Sequence, residues 1–243
     1  MQLFICSNLK ITGKEVTVDN ATEIVNQLRK VLRAKPWYKF FLQDYLWEKR
    51  YNVELLSFSK DGFSAVIHWE EQHQVINNQF WMLIAIPNKQ EKLELIVQKL
   101  TEIWISNIYL WSAERSQVND INENKLVRLN RIIREAVEQS WWRELPKLEI
   151  VKDLKMLHNQ RKFVIFDIEN SDYDKLDRSE LPVLWVIWPE WWLTQNDYNK
   201  FPNWYVIKSL WDSVLRMETA AIVWWWLIKN NKIGQKLWFL WQK

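Results

Sequence analysis

Three glycines in 243 residues constrain this chain more than any motif it carries. Turns, helix ends and close ligand contacts use glycine where the backbone must take a positive φ. A chain of this length ordinarily holds about 17 of them at the usual ~7%. Tryptophan, in contrast, occurs 19 times. Several of these Trp stand where glycine is expected. Trp188-Pro189-Glu190-Trp191-Trp192-Leu193-Thr194 follows an apolar strand-like run, Val183 to Ile187, and leads into a helix-like one. That is the setting of a tight turn cradling a ligand. Two readings account for the exchange. Either the Trp are genuine and form an aromatic surface for stacking on bases or sugars, or the gene carries UGA codons that its source decodes as Gly. UGG codons at 188, 191, 192 and 211 would exclude the second.

Charged residues make up 26% of the chain and apolar ones 48%, enough to bury a core and too apolar for a disordered tail. The net charge of +3 does not by itself mark a nucleic-acid partner, which would require Lys and Arg to cluster. Cys6 stands alone, so no disulfide can form within the chain, and a reducing compartment follows. One Cys and three scattered His (His68, His73, His158) argue against a structural zinc site, so no metal is expected. Nothing at the N-terminus reads as a signal peptide, and the longest apolar run, Thr219 to Ile228, is about half a bilayer span. The expectation is a cytoplasmic protein with no membrane association.

The pattern changes along the chain. Residues 1–72 read mostly as short strands: Leu3 to Cys6, Val16 to Val18, Lys39 to Gln43, Tyr51 to Phe58 and Phe63 to His68. One helix interrupts them, with Asn20 and Glu23 placed to cap it and an apolar stripe of Ile24, Val25, Leu28, Val31 and Leu32. This predicts a small β-barrel with one helix. Residues 75–243 alternate strands and helices, and the continuous apolar run Phe80 to Ile86 suits a strand buried on both faces. This predicts an α/β domain with a mainly parallel sheet; Gln72 to Asn78 reads as the linker.

Four groups of residues in the second half look functional together: Asn88 to Lys92 through Gln98 to Trp104, then Glu114-Arg115-Ser116, then Glu138-Gln139-Ser140-Trp141, and the turns at Trp188 and Leu210. With Gly at the suspect seats the last two read VIGPEGGLT and SLGDSVLRMETA. The chain resembles the RsmE family, bacterial small-subunit ribosomal RNA uridine N3-methyltransferases of the SPOUT knotted class, over nearly its whole length. Leu28 to Arg33 with Lys35-Pro36-Trp37 is similar to the family's VLR…KPG segment in a PUA-like barrel. Trp104 falls at the Gly of the family's ELG, and Trp141 at that of QSGR. Three departures stand out. Trp142 takes the usual Arg position with Arg143 next door, Asp212 replaces a common Pro, and the frequent His near Asn26 is absent.

A bulky methyl donor must be wrapped by closely approaching backbone, and Gly-rich turns at the carboxyl ends of parallel strands allow this. The resemblance implies S-adenosyl-L-methionine as that donor, a deep trefoil knot, and a homodimer whose second subunit completes the pocket. The expected donor-binding residues are Ile187, Trp188, Pro189, Glu190, Trp191 and Trp192 in the first turn, and Leu210, Trp211, Val214, Leu215 and Thr219 in the second. Arg216 is expected to hold the base or its developing negative charge, and Glu218 to orient that Arg or to receive the proton. Arg29, Arg33, Lys89, Lys92, Lys99, Arg115 and Arg143 are the candidates for contact with 16S ribosomal RNA or the small subunit. The alternatives are a SPOUT methyltransferase with another RNA target, or a non-catalytic aromatic-rich module that binds RNA or carbohydrate.

Overall fold

The computed structural model describes residues 1–44, 49–72, 80–116, 121–142, 144–160, 162–166, 183–188, 193–202, 205–208 and 215–229. Two compact units are present: Met1–Asn77 with Val137–Glu144, and Asn78–Ala136 with Leu145–Lys243. The first unit thus takes in one segment from the far half of the sequence.

That unit holds a six-stranded sheet in the order β1 (Leu3–Cys6), β4 (Lys39–Asp44), β5 (Lys49–Phe58), β6 (Phe63–Gln72), β3 (Glu15–Val18), β2 (Leu9–Thr12). β1 and β4 run parallel and the other neighbours antiparallel. Alternation sends Val16 and Val18, Phe40 and Leu42, Val53 and Leu55, and Phe63 and Ala65 into one core. The sheet is compatible with the small barrel expected. Helix α1 (Thr22–Asn26) packs on it and continues into a π turn, Gln27–Val31. Two expectations change here. Asn20 does not cap the helix: Ala21 is the N-cap, with no side-chain cap, and Asn20 has φ 55°. Val31 leaves the apolar stripe and is 72% exposed, whereas Val25 and Leu28 stay buried, because the wider π turn rotates the residues at its end off the 3.6-residue face.

In the second unit the sheet order is β12 (Val206–Lys208), β10 (Lys162–Phe166), β11 (Val183–Ile187), β7 (Phe80–Ala85), β8 (Asn107–Trp111), β9 (Lys147–Val151). Every pairing is parallel. Successive residues of each central strand enter two different cores. Met82, Ile84, Ile108, Leu110, Val164, Phe166, Trp185 and Ile187 meet α2 (Gln90–Glu102), α3 (Glu123–Ser140) and α5 (Met217–Lys229). Leu83, Ala85, Tyr109, Trp111, Phe163, Ile165, Leu184 and Val186 meet the opposite layer, which includes the 3-10 turn Leu154–Gln160 and the segment Leu193 to Phe201 around α4 (Gln195–Tyr198). Coverage on both faces is why these strands are apolar throughout. Among the described residues, no helix is long and apolar enough to cross a membrane.

The backbone tests three of the suspected glycine seats. Trp37 has φ 76°, Trp104 φ 74° and Trp141 φ 57°, all in the left-handed region. Each seat has a local cause. Tyr38 N–H donates to Lys35 O at 3.1 Å, which places Pro36 and Trp37 at the two central positions of a turn of type II character, the second of which requires positive φ. Trp104 follows α2. Its N–H donates to Thr101 O at 3.0 Å, and the N–H of Ile105 to Leu100 O at 3.1 Å, the two bonds of a Schellman cap whose left-handed residue is usually Gly. Trp141 directly follows α3. The written Gly13 takes the same left-handed conformation, at φ 62°, and at Gly62 a Cβ would collide with the Val18 carbonyl oxygen.

A bulky residue held at positive φ carries a strain of about 1 to 2 kcal/mol. Trp37 is 71% exposed, so its indole gives little packing in return. Trp37→Gly is expected to stabilise the protein by about 1 kcal/mol after the extra chain entropy of glycine is subtracted. Trp141→Gly gains less, because it also loses ring contact with Phe41, centroids 5.0 Å apart, and a cation–π contact with Arg50 at 5.4 Å. Urea midpoints of the two variants check both the sign and the order.

Candidate functional site

Parallel strands bring all their carboxyl ends to one edge, and in open α/β sheets ligands bind outside that edge where the strand order reverses. Here the reversal lies at β7, with β8 and β9 to one side and β11 and β10 to the other. Four segments leave the sheet at this edge: Asn88 and Lys89 after β7, Ala113 to Ser116 after β8, Trp188 after β11, and Leu215 to Glu218 leading into α5.

α2 and α5 pack side by side in one core. This brings Lys92 to Glu218, with Nζ and Oε2 4.0 Å apart and both side chains more than half buried. Glu218 Oε2 is buried without a hydrogen-bond partner. It sits in the first turn of α5, where the helix dipole favours negative charge. Arg216 is exposed immediately before the helix, its carbonyl accepting the Ala220 N–H at 2.8 Å.

A second polar group joins the turn after β8 to the segment after β11. Asp197, with no solvent exposure, accepts from Glu114 N–H at 2.9 Å, Thr194 N–H at 3.1 Å and the Lys200 ammonium at 3.1 Å. Thr194 caps α4 in a reciprocal box with Asp197. Glu114 accepts from the Thr194 hydroxyl and from Asn196 Nδ2 at 3.0 Å. The Thr194 hydroxyl also lies 3.1 Å from Asp197 Oδ2. It has a single proton, so it donates to one of the two carboxylates at a time. Burial alone would push the Asp197 carboxyl up. The N–H groups of Thr194 and Glu114, then the Lys200 ammonium, outweigh it and hold the group below its ordinary range. The Thr194 hydroxyl, then Asn196, lower that of Glu114.

A family model for an RNA methyltransferase domain matches residues 76–229. The ribosomal RNA small subunit methyltransferase E of Bacillus subtilis is 30% identical over 187 residues, 70% of this chain and 73% of that protein. This chain belongs to the small-subunit methyltransferase E family. Its fold is that of the family's solved members. A crystal structure of the family's enzyme from Neisseria gonorrhoeae, bound to S-adenosyl methionine, superposes with a TM-score of 0.79 at 22% identity, covering 95% of this chain and 97% of the other. A Legionella pneumophila methyltransferase in complex with the same cofactor gives 0.77 at 20% identity over 94% and 96% of the two chains.

In this member of the methyltransferase E family the expected site residues fall as follows. Ile187 ends β11, buried, and Trp188 next to it is half-buried against the core of the α4 face. Leu215 packs on the core of the α2 and α5 face, and Thr219 is exposed on the first turn of α5. Pro189, Glu190, Trp191, Trp192, Leu210, Trp211, Val214 and Arg143 lie outside the described residues. Of the cations, Lys89 and Arg115 are exposed at the carboxyl edge, Lys92 pairs with Glu218, and Lys99 pairs with Glu102 at 2.9 Å along its own helix. In the first unit Arg33 is exposed, and Arg29 lies over the Phe58 ring at 4.5 Å while donating to Ser59 O at 3.1 Å. Sequence reasoning missed Asp197 and Thr194. The run Thr194-Gln195-Asn196-Asp197 has the spacing of a capping box, but its tie to Glu114 spans 83 residues.

The depressed Asp197 carboxyl fixes the sign of a pH effect. A group whose pKa is lower folded than unfolded stabilises the fold above its unfolded pKa, and that contribution is lost as pH falls through the folded value. The protein is therefore expected to lose stability as pH falls below about 4, with Glu114, also held below its ordinary range, adding to the loss in the same direction. Asp197→Asn is expected to start less stable and to show a shallower acid slope in urea midpoints taken across the range.

Proposed function

We propose that this chain methylates the N3 of a uridine in 16S ribosomal RNA, as the RNA or in the small ribosomal subunit, using S-adenosyl-L-methionine. The observation that carries the reading is the family match across 76–229 together with the 30% identical methyltransferase E. The protein works in the cytoplasm as a homodimer, and its N-terminal unit grips RNA through Arg29 and Arg33, in and just after the π turn. Lys89, Lys92, Lys99, Arg115 and Arg143 provide the basic contacts of the second unit.

The carboxyl edge suits the donor. It supplies Glu218 Oε2, which faces Lys92 at 4.0 Å and is a buried acceptor with no hydrogen-bond partner, complementary to a cationic ligand. When bound, the donor supplies an electrophilic methyl on a sulfonium. Ile187 to Trp192 and Leu210, Trp211, Val214, Leu215 and Thr219 would hold it, with glycine at 188, 191, 192 and 211. The three seats whose φ is positive support that substitution, since the same exchange of letters occurs at all of them.

Methyl transfer to N3 is an in-line displacement, so positioning supplies much of the rate. Loss of the N3 proton leaves negative charge on the uracil oxygens. The Arg216 guanidinium, exposed at the head of α5, meets that charge with its N–H donors. Lys92 faces Glu218, which supports a role for Glu218 in holding a cationic group of the site in place.

Three measurements test this. Calorimetric titration with S-adenosylmethionine is expected to show binding by a chain with Gly at 188, 191, 192 and 211, and weak or no binding by the chain with Trp there; equal affinities would refute the glycine assignment. Mapping of methylated nucleotides in ribosomal RNA from cells lacking the gene is expected to reveal one uridine N3 without its methyl group; a different missing base would move the target elsewhere. Arg216→Ala is expected to lower kcat by about 100-fold or more with donor affinity retained, as read by single-turnover methyl transfer.

A further inference from the structure

We propose that Asp197 is a positioning residue that locks two walls of the donor site, the turn Ala113 to Ser116 and the exit of the segment after β11, into one register. The proposal rests on the function proposed above. A four-residue helix such as α4 has little stability of its own to protect, because helices this short are marginal. A fully buried carboxylate is more than its capping requires. The two oxygens divide the work. Oδ2 receives the Thr194 N–H inside the capping box, while Oδ1 reaches out to the Glu114 N–H and the Lys200 ammonium.

The link is reciprocal. Glu114 sends its carboxylate back onto the Thr194 hydroxyl and Asn196, so backbone and side chain of one residue are held by the same short segment. Two carboxylates converging on a single hydroxyl repel each other unless donors surround them. Here the Lys200 ammonium, the Asn196 amide and two backbone N–H groups do so. The far side of the turn is pinned as well, the Ser116 hydroxyl donating to Ile86 O at 3.2 Å and the Ser116 N–H to Ala113 O at 3.0 Å. Arg115 therefore projects from a backbone fixed on both sides. Its place at the carboxyl edge is set by the residues that fix the end of the first donor turn.

The test uses the full chain in the form that binds the donor. Asp197→Asn keeps the shape of the side chain but removes acceptor capacity, and Thr194→Val removes the bridging hydroxyl. Both are expected to raise the donor Kd about tenfold, since small misplacements of positioning groups are costly, and to speed hydrogen exchange at the Glu114 and Thr194 amides. Thr194→Ser retains the hydroxyl and is expected to stay within about twofold of the parent. Leu129→Ala, which removes a core side chain on the opposite face of the sheet, controls for loss of stability and is expected to leave Kd unchanged at a comparable drop in Tm. The positioning role fails if Asp197→Asn lowers Tm like Leu129→Ala without moving Kd, or if Thr194→Ser is as impaired as Thr194→Val. If the parent binds no donor although its Glu114 amide is protected, the functional reading fails and the positioning role falls with it.

Discussion

Burial of a parallel sheet on both faces is the constraint from which the second unit follows. Parallel neighbours require a crossover between every pair of strands, and the crossovers must be covered by helices above and below. The apolar runs of β7, β8, β10 and β11 satisfy both layers at once, residue by residue. The same geometry leaves one edge where all strands end in the same sense. The Lys92 and Glu218 pair and the buried Asp197 lie on segments that leave or approach that edge.

The second constraint is local and concerns backbone handedness. A type II turn, a Schellman cap and the end of a long helix each call for a left-handed residue, and each is filled by a written Trp. Hydrogen bonds to Lys35, Thr101 and Leu100 hold two of these turns closed despite the side chain. The geometry of a cap is set by the helix and the strand on either side of it. It persists even when the letter at its centre is the wrong one for it.

Much of this was legible in the order of residues, for identifiable reasons. Strands β1, β4, β5, β7 and β11 are short apolar runs between polar turns, and α2 presents Leu93, Ile96, Val97 and Leu100 at helical spacing. The glycine seats at 37, 104 and 141 were visible through the resemblance to the family's KPG, ELG and QSGR segments. Other features leave no such mark. Lys10, Ile11 and Thr12 of β2 are exposed, and β9 is a half-polar edge strand beginning at Lys147, so neither carries a buried-strand pattern. The π turn after α1 shifts Val31 outward without any change in composition that periodicity could detect. Asp197 drew no notice in the sequence, its partner Glu114 being 83 residues away. Lys92 read as one of the cations for RNA contact, and its pairing with Glu218 emerges only with α5 beside α2.

The assignment of Val137–Glu144 to the first unit bears on how the molecule can be taken apart. Glu138 accepts the Ile5 N–H at 3.0 Å, and buried Arg50, held by Gln43 at 3.0 Å, also reaches the Trp141 carbonyl. A fragment starting near residue 78 would carry the end of α3 with its buried carboxylate stripped of the strand it serves. One ending near residue 77 would leave the Ile5 amide and the Arg50 guanidinium short of acceptors. A cut near residue 77 would therefore pass through the first unit itself, parting Val137–Glu144 from the strands it packs with.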